Sequence, residues 1–87
     1  MAKTKKRFTI REVNLAADLG QAEALGGNRF VIRIDRKHRG ERSRMNTLVH
    51  EALHIGDMDG LSEAKVRHLT AVVVEALWRQ NYRRVRE

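Results

Sequence analysis

No cysteine occurs in the 87 residues, so disulfides and thiolate-bound zinc are both excluded. Aromatic side chains are few: Phe8, Phe30, Trp78 and Tyr82. That leaves little surface for stacking on nucleobases, and no recognised nucleic-acid motif accompanies them. No apolar run approaches the roughly 18 residues that a membrane span needs; "AVVVEALW" is typical of the longest. The opening "MAKTKKRFTI" is basic but has no apolar block behind it, unlike a secretory signal. The expectation is a soluble, cytoplasmic chain with no membrane partner. No internal repeat is visible.

The charge is one-sided. Lys and Arg number 18 against 11 Asp and Glu, a formal net charge of +7. The basic residues cluster at Lys3 to Arg7, Arg36 to Arg44 and Arg79 to Arg86. Such a balance points to an acidic partner, either nucleic acid or an acidic protein surface. It is equally compatible with a solvated surface and basic tails.

The length allows a single domain over 1–87, with a basic tail at 1–7 and a frayed basic end at 83–87. A chain this short buries only about 60–65% of its unfolded surface, and such domains are commonly stapled by disulfides or a metal. Without cysteine, a metal held by histidine and carboxylate is the staple still open to it.

The hydrophobic pattern predicts an α+β fold: a small antiparallel β-meander, then two helices. "RFTIREVNL" alternates, with Phe8, Ile10 and Glu12 on one face, as a strand does. "RFVIRID" is a second strand, with Phe30, Ile32 and Ile34 on one face. "GQAEAL", ahead of the Gly26-Gly27-Asn28 turn, reads as a short middle strand, although its composition also suits a helix. Ser43 is a plausible N-cap for a helix with Met45, Leu48, Val49, Ala52 and Leu53 at helical spacing, ending at Gly56. Ser62 caps a second helix. Leu61 and Val66 fit a hydrophobic staple. Val66, Leu69, Val73 and Leu77 form its apolar stripe, and the pattern extends to about Tyr82.

The first helix carries "HEALH", from His50 to His54. Histidines four apart share a helix face, so both imidazoles can reach one ion at about 2.0–2.1 Å. The glutamate after the first histidine is not a ligand in this pattern. It sits beside the open coordination position and acts as base, then acid, while activated water attacks a peptide carbonyl. The competing explanation is a surface helix whose five-residue pattern is accidental. Against it stand the uncharged flanks, Thr47, Leu48, Ala52, Leu53 and Ile55, and histidines that lie off the apolar stripe.

A catalytic zinc site needs a third protein ligand. Asp57, Asp59, Glu63, His68 and Glu75 are available. Glu63 ranks first, because it precedes Val66 by three residues and Thr70 by seven, beside the stripe of the second helix. Asp59 and then Asp57 are the alternatives, reachable by a tight return loop. Glu63 also has a plain role, as a carboxylate stabilised by the helix dipole.

Strands, a helix with His50-Glu51-x-x-His54 and a second helix with an acidic ligand together resemble the zincin metallopeptidases in a minimal form. Glu63 as third ligand makes the likeness gluzincin-like. "NTLVHEALH…DGLSEAKVRHLTAVVVEALWRQNYR" also resembles small H-E-x-x-H proteins of phage and prophage genes; the likeness covers about half the chain. It implies one Zn2+ ion, a peptide or protein substrate and Glu51 as the catalytic base. It also implies a substrate-pairing strand at Phe30, Val31, Ile32, Arg33 and Ile34, and a second electrophile for the oxyanion, for which Tyr82 and His68 are the available groups. The chain departs from the metzincin pattern, since no third histidine follows His54. Two further hypotheses stand beside the peptidase: a metal-stabilised basic binding module with little catalysis, and a metal-free α+β protein.

Overall fold

The computed structural model describes residues 6–38, 40–56 and 60–84. Three strands precede two helices: β1 (Arg7–Val13), β2 (Gly20–Gly26), β3 (Arg29–Asp35), α1 (Glu41–Gly56) and α2 (Glu63–Arg79). The α+β order expected from the sequence is therefore present, and "GQAEAL" is a strand.

The sheet differs from the expected antiparallel meander. Its order is β1-β3-β2, with β1 parallel and β2 antiparallel to β3. The reason lies in the apolar content of β3. Phe30, Val31 and Ile32 are contiguous and all buried, and a strand buried on both faces belongs in the centre of a sheet. β1 and β2 are mostly exposed and take the edges. Gly26, Gly27 and Asn28, at φ 88°, 60° and 60°, make the tight β2–β3 turn in the left-handed region, which glycine and asparagine tolerate best.

The core forms on the face of β3 carrying Phe30, Ile32 and Ile34, against Ile55, Leu48 and Ala52 of α1 and Ala22 of β2. α2 lies against α1 and buries Val66, Thr70 and Val74. This line is rotated from the expected stripe: Val73 is exposed, whereas Thr70 is buried. The valine run supplies apolar side chains on several faces, so periodicity alone does not choose among them. In the observed orientation Glu63, seven residues before Thr70, lies on the side of α2 next to α1 although its own side chain is about half exposed.

The boundaries also moved. α1 begins at Glu41, so Ser43 lies inside the helix and is not its cap. Ser62 does cap α2, accepting from Lys65 N at 3.1 Å. α2 stops at Arg79, with Asn81 in the left-handed region beyond it. Residues 1–5 and 85–87 of the expected tails lie outside the described residues, but the described parts make contacts. Lys6 Nζ donates to the Ile55 carbonyl at 2.8 Å, satisfying an unpaired group at the end of α1. Arg7 belongs to β1. Arg83 stacks on the Trp78 ring, and Arg84 pairs with Glu12 on β1. Among the described residues, no helix is long and apolar enough to cross a membrane.

Candidate metal centre

His50 and His54 follow one another by a turn on the face of α1 turned away from the sheet. Both are half-buried, and their rings meet edge-on with centroids 4.9 Å apart. Their Nε2 atoms lie 3.3 Å from each other. Glu63, in the first turn of α2, closes the group. One of its carboxylate oxygens is 2.8 Å from His50 Nε2 and the other is 3.2 Å from His54 Nε2. Ser62 fixes this placement, because its cap starts α2 one residue before Glu63.

These three side chains form the one group among the described residues with metal-ligand geometry. Two ligand atoms bonded to a tetrahedral ion at about 2.05 Å lie about 3.3 Å apart, the separation found between the imidazole nitrogens. Two histidines and a carboxylate are a donor set that zinc accepts, with one position left for water or substrate.

A cleft of about 320 Å³ opens beside it. One wall is the chain entering β2, Ala17 to Gly20; the other is α1, with Asn46, Thr47, His50 and Glu51. The walls approach so closely that a Cβ on Gly20 would fall 2.4 Å from Thr47 Cγ2. Thr47 is in turn held by His38, whose Nε2 is 2.9 Å from its hydroxyl. Burial pushes the Glu51 carboxyl above the usual carboxylate range; the imidazoles act against this, and Glu63 and Asp18 add to it. Desolvation disfavours the charged form of a carboxylate, so Glu51 is set to hold a proton more readily than a surface glutamate.

Glu51 and the three expected ligand residues are thus brought to one place. Asp57 and Asp59 lie outside the described residues. Tyr82 is not near the cluster: it follows the far end of α2, about 24 Å of helix beyond Glu63, and is 62% exposed. His68 turns into a different groove, with Arg42, Val72, Glu75 and Arg79, because five residues along a helix rotate it about 140° from Glu63. Neither can serve as the second electrophile. β3 cannot pair with substrate either, since its two edges already bond β1 and β2. The residues that sequence reasoning missed are Asp18, Gly20 and Thr47. The signal for Gly20 was a glycine at the start of an alternating strand, which marks a close backbone approach. No family model, curated protein or solved structure matches this chain, so its functional reading rests on its own residues.

Proposed function

We propose that the chain is a minimal metal-dependent peptidase, with one zinc ion held by His50, His54 and Glu63. The observation that carries this reading is the convergence of three ligand side chains beside an open cleft that contains Glu51. A bound zinc ion polarises a carbonyl and lowers the pKa of water to about 7. Glu51 takes a proton from the attacking water and delivers it to the departing amine nitrogen. Thr47 and Gly20 hold the cleft wall against β2. The cleft reaches β2 at its first residue, Gly20, and β2 is an edge strand of the sheet, so an extended peptide entering from the cleft would add a strand there.

The test is metal content and peptide hydrolysis measured together. His54→Ala and Glu63→Ala should lose or weaken zinc binding. Glu51→Gln should keep zinc and lose about 10²–10⁴ in rate. Loss of zinc in Glu51→Gln would remove it as the base. A second reading is favoured by the small core, in which seven hydrophobic side chains are buried among the described residues: the ion acts as a structural staple between α1 and α2. Stoichiometric zinc with no hydrolysis by the parent protein would select that reading.

A further inference from the structure

The sheet has a second face, turned away from the helices. Phe30, Ile32 and Ile34 point into the core, so Arg29, Val31 and Arg33 point outward by the alternation of a strand. Register then aligns β1 with them: Arg7 lies beside Arg29, Thr9 beside Val31 and Arg11 beside Arg33. Neighbouring strands are about 4.8 Å apart and each residue advances about 3.3 Å. Two side-by-side arginine pairs therefore stand about 13 Å apart along one face.

Like charges directly opposite one another oppose sheet formation. A solvated face needs polarity, not four cations. Elsewhere the chain neutralises arginine: Arg42 and Arg79 share Glu75, and Arg44 and Arg84 share Glu12. On the outer face, among the described residues, Arg33 alone has an acidic partner, Glu23 at 2.9 Å. Arg7 and Arg11 have none among the described residues, and the Arg29 Nε reaches only the Gly26 carbonyl, at 3.4 Å.

We infer that this outer face binds the phosphate backbone of duplex nucleic acid. Planar guanidinium groups grip phosphate through paired N–H donors. The centre of the face offers Thr9 and a buried Val31, which is no apolar anchor for a protein partner. It carries no aromatic ring, since Phe8 and Phe30 belong to the opposite face. Without stacking, single strands gain little here, and binding is sequence-independent. The face is separate from the His50–His54–Glu63 cluster, so this inference does not depend on metal binding.

The test is titration of a labelled mixed-sequence DNA duplex at several salt concentrations. Each phosphate contact contributes about −0.9 to the slope of log K against log salt. Arg7→Gln with Arg11→Gln should therefore flatten the slope by about 1.8. Lys65→Gln with Arg67→Gln removes the same charge from exposed positions on α2 and should leave the slope unchanged. Glu23→Gln frees Arg33 and should tighten binding, an outcome that misfolding cannot produce. Equal losses in the two double variants would overturn the inference by making the charge general. Absence of duplex binding, or tighter binding to poly-glutamate than to the duplex, would also overturn it, the latter in favour of an acidic protein partner.

Discussion

A Cβ placed on Gly20 would meet Thr47 Cγ2 at 2.4 Å and Glu51 Cγ at 3.3 Å. Both neighbours lie on α1, within the turn that also presents His50. Gly20 thus sets how near the helix comes to β2, and through that the width of the cleft. Gly20→Ala should destabilise the fold by about 1–3 kcal/mol, the usual range for overpacking, as measured by urea unfolding. Thr47→Ser removes the clashing methyl while keeping the hydroxyl that meets His38. Adding it to Gly20→Ala should recover part of the loss. Independent, additive effects of the two changes would mean that the close approach does not control the position of α1. The sequence shows a glycine here but not its neighbour, because Gly20 and Thr47 are far apart along the chain and meet only in the folded state.

At the scale of elements, alternation found β1 and β3 and the helical spacing found both helices, whereas β2 reads as a strand only from its place ahead of the Gly26-Gly27-Asn28 turn, its composition suiting a helix as well. Pairing order was less legible. The segments Arg7–Val13 and Arg29–Asp35 have nearly the same pattern, and antiparallel neighbours are the simpler expectation for consecutive strands. β3 differs from β1 at three places, Val31 for Thr9, Ile34 for Glu12 and Asp35 for Val13, and the first two give it the extra buried apolar side chains. The motif was legible because its five residues are local, and Glu63 because its place in the first turn of α2 is set by the Ser62 cap. Tyr82 and His68 failed as candidates because helix geometry carries them out of reach.

Asp35 joins these elements. Its two carboxylate oxygens accept from Leu15 N and Lys37 N, each at 2.7 Å, and it is almost fully buried. One side chain thereby ties the end of β3 to the β1–β2 connection and to the segment leading into α1. Burial acts to raise its pKa, but the N–H donors of Lys37 and Leu15, with the Lys37 charge, hold it below the usual carboxylate range. A lowered pKa gives stability that is present above the unfolded value, about 3.9, and is lost as pH falls through the folded value. Asp35→Asn should therefore melt below the parent at neutral pH, and the gap should close as pH drops below about 4. Melting curves across that range test it; a gap independent of pH would mean that the carboxylate charge is not what joins the segments.

For the whole molecule, the question is whether the seven hydrophobic side chains buried among the described residues hold two helices on a three-stranded sheet unaided. Phe8 and Ile10 of β1 and Val72 and Val73 of α2 are exposed, so much of the apolar surface contributes little. The His50–His54–Glu63 cluster spans the α1–α2 contact, so an ion bound there joins the helices only when both are in place. A ligand that binds only the folded state stabilises by mass action, about 2.7 kcal/mol when its concentration is 100 times Kd. For a domain of this size each kcal/mol moves Tm by about 4–8 °C, so zinc should raise Tm by roughly 10–20 °C. His54→Ala should abolish the shift by removing a ligand. Glu51→Gln should retain it, because Glu51 lies in the cleft and not among the ligands. The pair separates holding the ion from using it: a shift that survives in Glu51→Gln while hydrolysis disappears supports a peptidase, and no shift in the parent removes both the catalytic and the structural reading of the cluster.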